Sequence, residues 1–356
     1  MNKFLKIGAA LLLTTTAASA GGLDRSGQAI GTLFKDGNYV ELSFGNVTPS
    51  LAGSGLNSTF NGAASTGNIA PSYTSMGAAY KRPPTDQASM ALILDQPFGA
   101  EVNYNTAGHV LSGSSASVSS NGVTALARYE ATSKLSVHGG LRIVSAEGSY
   151  NRPVVGATPA YASTYSSDSG TGYVIGGAYE RDDIAMRIAL TYSSEIDLAL
   201  DGTNGNLSTT LPDSLNLDFQ TGIAADTLLF GSIRRVSWAG FSLDDSDPFS
   251  GGSILSYDDD VTTLNIGVGR RFTDNFSASL SVGYEKSTGE LSGNLGPTDG
   301  FVSYQIGGSY TMDSGMEISG GIRFVNLGDA NTAAPVGGVF ANNDAIGLGL
   351  KVGYTF

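Results

Sequence analysis

The sequence predicts an all-β chain, a 14-stranded antiparallel transmembrane β-barrel with a short N-terminal hatch in its lumen. Three observations predict it. The last thirteen residues alternate strictly, with Ile346, Leu348, Leu350, Val352, Tyr354 and Phe356 on one face and Gly347, Gly349, Lys351, Gly353 and Thr355 on the other. Such period-two patterning marks a strand with one apolar and one polar face. A terminal strand ending on a bare aromatic suits a barrel whose last strand closes against its first. Segments of the same kind recur along the chain, and the connections between them alternate between long and short. Finally, glycine makes up 49 of 356 residues, about twice the usual ~7%, and only 14% of residues are charged.

Taken in order, residues 1–20 read as a secretory signal peptide. Lys3 and Lys6 precede the apolar run 7–13, and Ala18-Ser19-Ala20 offers a small-residue cleavage site. The apolar run is too short to span a bilayer, and no later stretch approaches ~18 consecutive apolar residues. Export is therefore expected, with a mature chain starting at Gly21. Residues 21–37 have no clean period. Their apolar members Leu23, Ile30, Leu33 and Phe34 predict burial as a lumenal plug rather than a free tail.

The barrel is expected over 38–356. Its strands fall at 38–46, 72–81, 87–96, 122–131, 134–145, 170–180 and 183–193, then at 214–224, 227–236, 259–272, 275–285, 300–311, 315–326 and 344–356. Most approach the ~9–11 residues that a tilted strand needs to cross a membrane. Between them, long connections (47–71, 97–121, 146–169, 194–213, 237–258, 286–299, 327–343) alternate without a slip with short turns rich in Asp, Asn, Ser, Lys and Gly. Outer-membrane barrels segregate loops this way, long outside and tight in the periplasm. The parity places both termini in the periplasm. Outer-membrane lipid and lipopolysaccharide are the expected surroundings, and a C-terminal strand ending in Phe356 suits recognition by barrel-assembly machinery.

Composition narrows the function. The net charge of −13 argues against a nucleic-acid partner. Without cysteine there can be neither disulfides nor thiolate metal sites. Only His109 and His138 are available to a Ser-His hydrolase, which would need one of them beside a serine and an acid, so no enzyme is expected. Nothing calls for a cofactor. The acidic runs Asp244-Asp245-Ser246-Asp247 and Asp258-Asp259-Asp260 carry Ca²⁺-type ligand atoms but lack EF-hand spacing, and read as solvated loop.

Three stretches carry a more specific likeness: SGQAIGTLFKDGNYVELSF from Ser26, Leu94-Asp95-Gln96-Pro97-Phe98-Gly99, and LPDSLNLDFQTGIAADTLLFGSIRRVSW from Leu211. Together they resemble the FadL/TodX family of outer-membrane transporters of long-chain fatty acids and other hydrophobic compounds, over essentially the whole mature chain. The resemblance implies a lumenal hatch, a kinked third strand that opens the wall, and ligand capture near the extracellular loops. This chain lacks the family's Asn-Pro-Ala motif and has a shorter pre-strand segment, so its hatch should be reduced.

Passive transport of hydrophobic molecules, long-chain fatty acids foremost, is the expected function. A polar-solute diffusion porin and a structural or adhesive barrel are the alternatives. A dry apolar pocket beneath the loops would mark the first, an open charged constriction the second. Candidate gate and kink residues are Leu23, Ile30 and Phe34 in the hatch and Pro97, Phe98 and Gly99 at the end of the third strand, where proline removes a ladder donor. Candidate substrate contacts are Val154, Val155 and Tyr161 in the third long loop, an apolar cluster where solvent is expected. Arg142, Arg187 and Arg323 face inward by strand parity. A desolvated carboxylate needs such a cation, and a guanidinium can hold both oxygens.

Overall fold

The computed structural model describes residues 22–55, 65–334 and 336–356. The expected signal peptide, residues 1–20, and Gly21 lie outside the described residues. Fourteen strands wind into one closed antiparallel barrel. They are β1 (Tyr39–Ser50), β2 (Tyr73–Arg82), β3 in two arms (Ala88–Asp95 and Gly99–Asn103), β4 (Ser115–Glu130), β5 (Leu135–Arg152), β6 (Tyr161–Arg181) and β7 (Met186–Ser193). The remaining seven are β8 (Ser214–Ala224), β9 (Thr227–Val236), β10 (Val261–Arg271), β11 (Phe276–Glu285), β12 (Phe301–Thr311), β13 (Met316–Leu327) and β14 (Asp344–Thr355). Each strand pairs with the next, and β14 returns to β1 from Ser50↔Asp344 to Tyr39↔Thr355. The Phe356 N–H adds a further bond to the Asn38 carbonyl, 3.0 Å away. Closure removes both free edges.

The alternation seen in the sequence becomes an apolar exterior. Leu42, Phe44, Leu92, Leu141, Ile175, Leu280, Ile306 and Leu348 are all exposed. A charge placed among such residues near mid-bilayer would cost ~2–4 kcal/mol. Tyr354 and Phe356 stack 5.6 Å apart at the turn end. The inner face is small and polar, with Lys351 3.6 Å from Glu41 and Lys35 of the hatch 3.4 Å from Glu317.

Two departures from strict pairing set up the interior. Between Asp95↔Gly122 and Gly99↔Ser119, three residues of β3 (Gln96, Pro97, Phe98) face two of β4 (Ser120, Asn121). The extra residue is a bulge, and one residue of slip exchanges the two faces. Met90, Leu92 and Leu94 therefore point outward below the break, whereas Phe98 and Val102 are buried above it. A second shift separates Ala146↔Asp168 from Gly148↔Tyr165. It turns Tyr161 and Tyr165 inward although Tyr173 and Ile175 on the same strand face out.

The long connections are less loop than the sequence suggested. β5 and β6 continue past 145 and before 170, so the third loop shrinks to 153–160. Elsewhere the loops form two small sheets of their own. One joins Ile196–Leu200, Leu207–Leu211, Ser242–Asp245 and Ser253–Ser256. The other joins Gly53–Ser54, Val339–Phe340, Ala330–Thr332 and Leu291–Ser292. Each sheet covers an apolar core at the mouth. The first core gathers Leu198, Leu207, Trp238 and Phe241, the second Val47, Ile69, Tyr104 and Phe340.

Candidate functional site: a hatch joined to a broken strand

The break in β3 leaves backbone groups without ladder partners, and buried groups of that kind must be satisfied. The hatch satisfies them. Asp24 forms an antiparallel bridge with Phe98. The Gly99 N–H donates to the Leu23 carbonyl (2.8 Å), and the Arg25 N–H to the Pro97 carbonyl (2.7 Å). The Arg25 Nε reaches the Gly99 carbonyl at 2.9 Å. Ser120 on β4 serves the residue between them, accepting from the Phe98 N–H (2.9 Å) and donating to its carbonyl (2.7 Å). A Cβ at Gly99 would lie 2.8 Å from the Arg25 guanidinium, so any larger residue here would have to displace that side chain. Hatch and kink therefore form one hydrogen-bonded unit.

Charged pairs fix that unit to the wall. Asp24 holds Arg234 of β9 through both oxygens, at 2.5 and 3.1 Å, and Arg234 also donates to Ser214 and Asn216. Ser26 donates to Asp95, whose other neighbour is Arg142 at 3.9 Å. Below them a 3₁₀ turn, Gly31–Phe34, buries Leu33, while Ile30 packs beside it against Ala79, Ile93 and Val174 of the wall. At the other end Gly22 lies flat against the ring of Trp238. Its φ of +120° and a hypothetical Cβ only 2.4 Å from that ring exclude any other residue.

Above the kink, between wall and loop sheet, lies a narrow apolar cavity of about 70 Å³. Leu23 and Phe98 line it below, Val102, Val118 and Ala146 at the wall, and Leu198, Leu200, Leu207 and Leu211 from the loop sheet. Among the described residues, Glu147 is the only charged one in the lining. Beside the kink the wall is incomplete. β2 pairs with β3 only from Ala78 to Arg82, so Tyr73–Gly77 have a ladder partner in β1 but none in β3. The Gln96 side-chain carbonyl accepts from the Met76 N–H at 3.1 Å, across the gap. Ser75, Met76, Asp95, Gln96, Arg25 and Ser26 line a small cavity there.

The predicted residues separate into three groups. Leu23, Pro97, Phe98, Gly99 and Arg142 meet at the hatch–kink unit; Ile30 and Phe34 belong to the lower hatch. Arg187 lies over the Phe34 ring, 4.5 Å from its centroid, and Arg323 over Phe301 at 5.3 Å, so the three arginines do not share a site. In the third loop the expected solvated cluster divides. Val154 is exposed and Val155 packs against the loop core. Tyr161 is buried and donates to Asp245 at 2.7 Å, as does Tyr165. Within the acidic runs Asp245 is buried as the acceptor for both tyrosines, whereas Asp244, Asp258 and Asp259 are exposed, as expected of a solvated loop. His138 pairs with Thr191 at 2.9 Å, and His109 stacks on Tyr104. Asp24, Arg25 and Arg234 escaped sequence reasoning as site residues, and Trp238 entered it only as the last residue of the family-like stretch from Leu211.

No protein-family model and no curated protein matches this sequence. Solved structures match over nearly its whole length. A Pseudomonas aeruginosa FadL homologue superposes with a TM-score of 0.76 at 14% identity, covering 96% of this chain and 98% of that one. The Ralstonia pickettii toluene transporter TbuX gives 0.65 at 14%, with 91% and 90% covered. The P. putida toluene transporter TodX gives 0.66 at 16%, with 90% and 91% covered. At such identities the shared property is the fold.

Proposed function

We propose that this chain is a FadL/TodX-type channel of the outer membrane, with both termini in the periplasm, that admits hydrophobic small molecules. The observation that carries this reading is the apolar cavity beneath the loop sheet, closed below by Leu23 of the hatch and Phe98 of the kink. A polar-solute porin would present an open, charged constriction at this level instead. Solute entering between the loops loses its water in the cavity. It then meets a floor that can change only if the hatch and kink move together.

The lining supports uncharged hydrophobic molecules most directly, because its described residues include no cation to replace the hydration of a carboxylate. Long-chain fatty acids are a second reading, and one observation favours them. Arg142, deep beside the kink, has a buried Nη1 without a hydrogen-bond partner, a position from which it could receive a head group. Filling the cavity tests the main reading. Leu200→Trp should reduce toluene uptake into proteoliposomes about tenfold, equivalent to ~1.4 kcal/mol, with heat-modifiable mobility unchanged. Unaltered uptake by that folded variant would refute it. Arg142→Gln separates the two substrate classes: oleate transport falls and toluene transport persists if the second reading holds.

A further inference from the structure

Phe34 occupies an unusual position for a hydrophobic plug residue. Its ring centroid lies 4.8 Å from the guanidinium carbon of Arg128 and 4.5 Å from that of Arg187. The His138 ring meets it edge-on, 6.1 Å between centroids at 86°. A ring faced by two guanidinium groups gains from the attraction of cations for its negative faces, beyond any burial of area. The cage belongs to the barrel, since Arg128, His138 and Arg187 lie on β4, β5 and β7. Only the occupant comes from the hatch. Arg128 is held in place by Ser136 at 3.0 Å and by Glu130 and Glu180. His138 is held by Thr191.

The occupant also stands at a boundary. A mid-lumen cavity of about 180 Å³ runs beside the hatch, lined by Thr32, Glu41, Ser43, Gln220 and Lys351 among others. A second, of about 440 Å³, lies at the turn end among Lys81, Arg128, Glu130, Lys134 and Glu180. Phe34 and Lys35 are the residues that line both. Lys35 is fixed by Glu317, and its carbonyl accepts from Lys81 at 2.5 Å. The Phe34 ring therefore stands in the partition between the two cavities.

We propose that Arg128, Arg187 and His138 form a second binding site, for an aromatic ring, which Phe34 occupies in cis and thereby closes the lumen toward the turn end. An aromatic solute reaching mid-lumen can replace Phe34 in the cage, so that exit on this side is favoured for ring-bearing molecules. This deepens the transport reading above and rests on it for the identity of the solute, but the cage itself is testable alone.

The test is single-channel conductance of the full mature barrel in planar bilayers. Phe34→Ala should raise conductance severalfold, and added benzene should return it toward the wild-type level by refilling the cage. Cyclohexane, similar in bulk but without a π face, should fail to do so. Arg187→Gln in the Phe34→Ala background should weaken the benzene effect about tenfold, the loss expected for one buried cation–π contact. Phe34→Trp, keeping the ring, should conduct like wild type; Phe34→Leu, keeping bulk alone, should leak. Equal conductance of wild type and Phe34→Ala overturns the proposal, and so does equal closure by benzene and cyclohexane. Should the benzene effect appear while wild type takes up no hydrophobic solute, the transport reading fails and the cage stands. Normal toluene uptake with no benzene effect overturns the cage and leaves the transport reading in place.

Discussion

Single residues here decide whether the hatch can seat. Gly22 meets Trp238 so closely that a side chain has nowhere to go, and its φ of +120° is costly for any other residue. Gly22→Val should unseat the upper hatch and raise conductance while leaving the barrel folded, because no strand passes through that position. Asp24 acts differently. Removing one partner of a buried ion pair costs ~3–5 kcal/mol when the remaining charge is left uncompensated. Arg234 retains Ser214 and Asn216 as acceptors, so most of the loss in Asp24→Ala should fall on hatch seating rather than on the wall. Conductance traces and heat-modifiable mobility, measured on one sample, distinguish the two effects. Neither residue announces itself in the sequence. Gly22 is one glycine among 49 and Asp24 one acid among 32, and a pairing 210 residues apart leaves no local pattern.

Among the elements, the strands were legible because a barrel exposes one face to lipid along its full height, so β5, β7 and β13 print their alternation directly into sequence. The loops were harder to read. Ile196, Leu198 and Leu200 alternate as cleanly as any barrel strand, yet five residues are too few to cross a membrane, and they belong to a sheet lying over the mouth. The break in β3 left its mark in Pro97 and Gly99, but the bulge between β5 and β6 left none, since a slip shows only against a partner strand. That is why Tyr161 read as loop surface although it is buried against Asp245. The loop between β11 and β12 carries its own pH dependence. Asp299 is buried, which alone would raise its carboxyl pKa, but Ser287, Thr288 and Gly289 donate to it and hold it below the usual carboxylate range. A depressed carboxylate adds stability above its unfolded pKa, and that stability is lost as pH falls through the folded value. A spin label at position 290 should stay immobile above about pH 4 and loosen in stronger acid. In Asp299→Asn it should be mobile at every pH.

For the whole molecule, the consequence of the hatch–kink unit is that the two cannot move independently. If the hatch withdrew alone, the Pro97 and Gly99 carbonyls and the Gly99 N–H would lose their partners inside the wall. Buried groups left unpaired cost ~1–3 kcal/mol each, so withdrawal should carry the kink with it. The kink borders Tyr73–Gly77, which ladder with β1 but not with β3, so its movement changes the wall at that gap. A cross-link tests the coupling, and a chain without cysteine makes it clean. Asp24 and Phe98 face each other in an antiparallel bridge, flanked by hydrogen bonds from Gly99 to Leu23 and from Arg25 to Pro97. That arrangement is a non-hydrogen-bonded pair, whose Cα atoms sit ~4.5 Å apart, within disulfide reach. In Asp24→Cys/Phe98→Cys, oxidation should therefore lock hatch to kink, and the reduced form of the same protein controls for the two lost side chains. Thiol labelling reports how completely the bond has formed. A hatch and kink that already travel as one lose nothing by being tied, so toluene uptake should be equal in the oxidised and reduced forms. Uptake several times slower when oxidised, and restored by dithiothreitol, would mean that the hatch must part from the broken strand before solute can pass.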